Sequence, residues 1–78
     1  MSAQLTLYYR QGCHLCDDMM THLSQLRGEL AFDLGLVDID GDIHLRQQYN
    51  EQVPVLMRGD QVLSRYLLDE ASLRSVLS

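Results

Sequence analysis

Lysine is absent from this chain: the six basic residues are all arginine, at positions 10, 27, 46, 58, 65 and 74. They never cluster, and eleven Asp and Glu bring the net charge to -5. A nucleic-acid surface needs a basic stripe, so this balance argues against such a partner. No apolar run approaches the roughly 20 residues that span a bilayer. The N-terminal "MSAQLTLYYRQ" lacks the basic start, long apolar stretch and small-residue cleavage site of a secretory signal. A cytoplasmic location without a membrane partner is therefore expected. Cysteine is scarce too: only Cys13 and Cys16 are present. Small secreted scaffolds use several bridges, and a bridge across so short a loop restrains the unfolded chain little. A purely structural staple would be a poor use of the only two thiols. There is a single proline, Pro54, and no repeat, low-complexity tract or linker. Seventy-eight residues with an ordinary hydrophobic fraction suit one globular domain over 1–78 with a limited core, expected to act as a monomer.

What is present is a series of short patterned segments. "AQLTLYY" alternates and is rich in residues suited to a pleated surface, which predicts a strand over Ala3 to Tyr9. Gly12 breaks it. From His14 to Arg27, Leu15, Met19, Met20, Leu23 and Leu26 recur at helical spacing, and Gly28 is placed to end that helix. "AFDLGLVDID" predicts a second strand, with Phe32, Leu34, Leu36, Val37 and Ile39 as inward candidates. A short helix is expected from Asp42 to Asn50, capped by Asp40 or Asp42, with Ile43, Leu45 or Arg46, and Tyr49 on its face. "VPVLM" and "QVLSRYLL" read as third and fourth strands. The "RGD" between them reads as a hairpin turn with Gly59 at positive φ, not as an adhesion motif. "DEASLRSVL" predicts a last helix, capped by Asp69, with Leu73, Val76 and Leu77 toward the sheet. The order β-α-β-α-β-β-α predicts an α/β chain. Its first two strands should run parallel through a right-handed crossover and its last two antiparallel. The result is a four-stranded mixed sheet with helices on both faces.

The stretch "GCHLC" falls where the first strand hands over to the first helix. Unpaired N–H groups and the helix dipole favour negative charge there. That lowers a thiol's pKa and enriches the thiolate, which is the nucleophile. Cys16 lies one helical turn after Cys13 on the same face, within reach of a bridge. The pair is thus asymmetric. Cys13, at the exposed tip, attacks a disulfide, and Cys16, more covered, resolves the mixed intermediate. Of the residues between them, Leu15 carries no charge, and His14 either stabilises the thiolate when protonated or faces solvent. Asp17 and Asp18 suit a helix start while opposing part of the pKa lowering.

These residues resemble the glutaredoxins of the thioredoxin superfamily over essentially the whole chain, nearest to short bacterial glutaredoxin-like proteins. "YYRQGCHLC" carries Tyr8 and Arg10 at the family's offsets before CxxC, and "EQVPVL" carries its valine–proline pair, Val53 and Pro54. The resemblance implies a thioredoxin-like fold, a cis Pro54 lying against the active-site sulfurs, and backbone beside it that pairs with peptide or glutathione. It implies a thiol–disulfide oxidoreductase that reduces protein or glutathione mixed disulfides, with glutathione as reductant or co-substrate and no required metal or organic cofactor. Tyr8, Arg10, His14, Leu15, Val53, Pro54 and Arg65 would border the substrate. Two departures stand out. The family's Pro-Tyr between the cysteines is His14-Leu15 here, and its glycine pair after the fourth strand is replaced by Arg65-Tyr66. Arg10 is then the expected partner for a carboxylate, with Arg65 as a substitute donor.

Other chemistries fit less well. Zinc needs four ligands, and no second pair accompanies Cys13 and Cys16, since His22 and His44 lack the spacing. "DIDGDIHLRQQY" begins like a calcium loop, but its glycine is misplaced and Tyr49 stands where the loop needs glutamate. No nucleophile elbow supports hydrolysis. Two readings stay open beside the enzyme. One is an iron–sulfur cluster held by Cys13 and glutathione in a dimer; the other is an interaction module whose cysteines are idle.

Overall fold

The computed structural model describes residues 3–77. Strand β1 (Ala3–Tyr9) is followed by helix α1 (His14–Leu26) and strand β2 (Phe32–Asp38). A 3₁₀ turn (Ile39–Gly41) leads to helix α2 (Ile43–Tyr49), and the chain closes with β3 (Val55–Arg58), β4 (Gln61–Arg65) and α3 (Glu70–Leu77). The sheet order is β2-β1-β3-β4, with β1 parallel to β2 and antiparallel to β3, and β3 antiparallel to β4. This is the α/β arrangement with a four-stranded mixed sheet that the alternation predicts.

Pleating divides the core in two. Leu5, Leu7, Leu56 and Leu63 turn to one face, where Met19, Leu23 and Leu26 of α1 and Leu73 of α3 complete a buried cluster. Tyr8, Val55, Met57 and Val62 turn to the other, where Tyr49 and Leu45 of α2 pack with Ile39 and Val53. Cys13 and Cys16 belong to this second cluster. The β3–β4 turn is Gly59-Asp60, between paired Arg58 and Gln61, with Gly59 at φ 59°. The left-handed conformation that a tight hairpin needs falls to glycine, which pays no Cβ clash.

Three expectations are corrected. Leu36 is 53% exposed: β2 is an edge strand, and Leu36 lies beyond the cover of the helices, while Ile39 is fully buried from the 3₁₀ turn rather than from the strand. Ile43 is 65% exposed, because α2 turns Leu45 and Tyr49, one turn apart, to the sheet. The fourth strand ends at Arg65, not Leu68, since Tyr66 takes φ 66° and leaves the pleat.

The last helix is tied down by its cap. The Ser72 N–H donates to Asp69 Oδ1 at 3.1 Å, and the Asp69 N–H donates to the buried Ser64 Oγ at 2.8 Å. The Ser72 hydrogen bonds lower the Asp69 pKa, the backbone one most. Arg74, then His22, lower that of Glu70. Groups whose pKa falls on folding add stability above their unfolded pKa and lose it as pH drops through the folded value. The Asp69→Asn/Glu70→Gln double variant should therefore unfold at lower urea than the parent at neutral pH. The two curves should converge below the ordinary carboxylate range; a gap that persists in acid would contradict the capping account. Leu73 is the one side chain of α3 that is fully buried among the described residues. Leu73→Ala should cost about 2–5 kcal/mol in urea unfolding.

Candidate redox site

The β1–α1 junction builds the site. Gly12, at φ 76°, turns the chain out of β1. Cys13 follows with extended backbone and occupies the N-cap of α1. Caps are ordinarily Ser, Thr, Asp or Asn, whose oxygen accepts an orphan amide. Here sulfur does it: the Cys16 N–H donates to Cys13 Sγ at 3.1 Å, and the Asp17 N–H donates to the Cys13 carbonyl at 3.1 Å. Cys13 and Cys16 are joined as a disulfide, with Cα atoms 5.2 Å apart. Cys13 is half-buried, whereas Cys16 is fully buried. His14 and Leu15, between them, are exposed.

Behind the sulfurs the second core cluster forms a floor. Tyr8 stacks on Tyr49 with ring centroids 4.7 Å apart, and the Tyr49 hydroxyl donates to Met57 Sδ at 3.4 Å. Burial, then the neighbouring Tyr8, push the Tyr49 pKa up, so its phenol stays neutral. The Val53–Pro54 peptide is cis, and both residues are buried. The Pro54 carbonyl accepts the Tyr66 N–H at 3.0 Å, which pins the end of β4 beside the proline.

Residues 4–78 match the family model of the glutaredoxin-like domain (DUF836). The chain belongs to that family. Protein Ne2328 from Nitrosomonas europaea, solved in solution, is 39% identical, and the match covers 100% of this chain and 94% of that one with a TM-score of 0.87. The X-ray structure of protein XcR50 from X. campestris is 38% identical, covering 94% and 93% with a TM-score of 0.74. An uncharacterized protein of Mycobacterium tuberculosis is 31% identical over 77 residues, 92% of this chain and 79% of its own length. The fold is thioredoxin-like. With its Cys13–Cys16 pair, this glutaredoxin-like domain is a module of the thiol-redox type.

The residues singled out in the sequence do not all converge. Cys13, Cys16, Tyr8 and Val53 share one packed cluster. Arg10 does not stand free to meet a carboxylate: its guanidinium donates to Asp40 Oδ1 and to Asn50 Oδ1, each at 3.0 Å. Asp40 also takes Arg46 at 3.4 Å. Arg65 is exposed, and its Nε donates to Gln52 Oε1 at 3.1 Å. The run "DIDGD" supplies two caps and one ion-pair centre. Asp38 caps the 3₁₀ turn, Asp40 holds the two arginines, and Asp42 caps α2 by accepting from the His44 and Leu45 N–H groups. Asp40 and Asn50 are the partners of Arg10 that sequence reasoning missed, whereas Tyr49 packs inward as the helical face predicts. Only the spacing of the aspartates hinted at the caps, and no local pattern ties Arg10 to residues 30 and 40 positions away. Among the described residues, no helix is long and apolar enough to cross a membrane.

Proposed function

We propose that this glutaredoxin-like domain is a thiol–disulfide oxidoreductase, with Cys13 as nucleophile and Cys16 as resolving thiol. The observation that carries the reading is the asymmetry of the pair: the N-cap cysteine is half-buried and its partner is fully buried. In the reduced protein, the Cys13 thiolate attacks one sulfur of a substrate disulfide. A Cys13–substrate bond forms, the substrate's own S–S bond breaks, and one substrate thiolate leaves to be protonated. Cys16, deprotonated, then attacks Cys13 Sγ; the bridge forms and the second substrate thiol is released. Two electrons pass from the pair to the substrate. A thiol reductant restores the dithiol by the reverse sequence, and glutathione is the reductant or co-substrate that the family likeness suggests. The two sulfurs carry the electrons themselves, so the exchange requires neither metal nor organic cofactor.

The remaining residues take positioning roles. The amide that caps Cys13 Sγ favours its charged form. Val53 and the cis Pro54 offer backbone beside the sulfurs to the substrate, and Tyr8 forms part of the floor. Arg10, held by Asp40 and Asn50, braces the junction rather than serving as a mobile clamp. His14, Leu15 and Arg65 face the incoming partner.

The test is a pair of variants. Cys13→Ser should abolish disulfide reduction, and Cys16→Ser should accumulate a mixed disulfide on Cys13 visible by intact-mass spectrometry. Equal residual turnover in both variants would contradict the assigned roles.

A further inference from the structure

Leu15, two residues after Cys13, lines a shallow cavity of about 70 Å³ together with Asp18, Met19, His22 and residues 66–68. Three of its walls are large apolar side chains left in water: Leu15 is 39% exposed, Tyr66 45% and Leu67 69%. Among the described residues only two other large hydrophobic side chains are comparably exposed, Leu36 and Ile43, and neither lines this cavity. The backbone holds the apolar wall outward. Tyr66 is the one described non-glycine residue at positive φ, a conformation that L side chains rarely adopt. Its N–H is fixed to the Pro54 carbonyl, and the Leu67 N–H to the Arg65 carbonyl at 2.7 Å. The charge on the α1 side of this edge is acidic, while on the β4 side the exposed Arg65 precedes Tyr66 with its Nε held by Gln52. Asp17 and Asp18 are exposed in the first turn of α1, and the one cation-capable group in the lining, His22, faces Glu70 at 3.1 Å.

We infer that the disulfide reduced here belongs to a polypeptide with an aliphatic residue next to its reacting cysteine and a basic residue beside that. The aliphatic side chain seats on Leu15, Tyr66 and Leu67, and the basic one meets Asp17 and Asp18. This rests on the exchange reading above and narrows its substrate class. Glutathione disulfide suits the surface less well: each half brings two carboxylates and one ammonium toward Asp17 and Asp18, offers no aliphatic side chain, and finds Arg10 already paired with Asp40 and Arg65 held by Gln52 through its Nε. Apolar contact supplies affinity in proportion to area removed from water, and opposite charge speeds encounter in a salt-dependent way.

The experiment follows single-turnover oxidation of the pre-reduced protein by three disulfides. These are a short peptide disulfide with Leu-Arg after the cysteine, the same peptide with Ser-Glu, and glutathione disulfide. The Leu-Arg peptide should react about tenfold faster than either of the others, and its lead should shrink with added salt. Leu67→Ser, at an exposed position that leaves the circular dichroism spectrum unchanged, should cut the Leu-Arg to Ser-Glu ratio several-fold. Asp18→Asn should cut its salt-dependent part, and Ile43→Ser, remote from the cavity, should alter none of the rates. Equal rates on the three disulfides, or glutathione disulfide the fastest, would overturn the inference and leave the exchange reading standing. Absence of reaction with all three would remove both.

Discussion

The first turn of α1 exposes amide groups that no carbonyl inside the helix can reach, and the chain meets one of them with sulfur. Cys13 occupies a position that ordinarily goes to an oxygen side chain. A neutral thiol is a weak acceptor and a thiolate a strong one, so this cap favours the ionised form. The amide that donates to Cys13 Sγ belongs to Cys16 itself. In the proposed exchange one turn of helix does two things at once: it brings the second sulfur within bonding distance of the first and, once the bridge is reduced, offers an amide to the charge on Cys13. Gly12 makes the turn possible, because the chain must pass through a left-handed conformation to leave β1 and enter the helix.

The rest of the fold holds that turn still. Strand β1 is flanked on both sides, by β2 and β3, and its C-terminal end leads Tyr8 and the following Arg10 to α2 and its flanking residues. Tyr8 is fixed by stacking on Tyr49 of α2. Arg10 is fixed by Asp40 and Asn50, before and after the same helix. The side chains of the Arg10–Asp40 pair are partly exposed, at 32% and 39%. Such a pair contributes little to global stability; its effect is geometric, tying the approach to Cys13 to the α2 side of the sheet. On the other face, α1 is linked to α3 through His22 and Glu70. The helix bearing the sulfurs is therefore braced from both layers.

Much of this architecture was legible in the residues, and the reasons differ from element to element. Strand β1 and helix α1 announced themselves because most of their apolar positions follow one period, and pattern and burial agree at Leu5, Leu7, Met19, Leu23 and Leu26, though Leu15 stays exposed. Pro54 and the CxxC spacing carried the redox reading for a similar reason: each constrains the backbone or the chemistry by itself. Leu36 and Ile43 misled because hydrophobic residues are not obliged to be inside; their exposure depends on where the sheet ends and which turn of α2 meets it. Tyr66 was invisible as a strand breaker, since nothing in a tyrosine's own preferences asks for positive φ. The fates of Arg10 and Arg65 lay outside local reading altogether, being set by Asp40, Asn50 and Gln52 brought in by the fold.

The account stands on the charge state of one sulfur. The most direct measurement is an ultraviolet thiolate titration of the reduced protein, with the Cys16→Ser variant isolating the signal of Cys13. The account predicts that Cys13 ionises well below the ordinary free-cysteine value, and that alkylation at neutral pH is correspondingly fast. An ordinary or raised value would mean that the helix terminus does not activate the sulfur, and would contradict the account at its root.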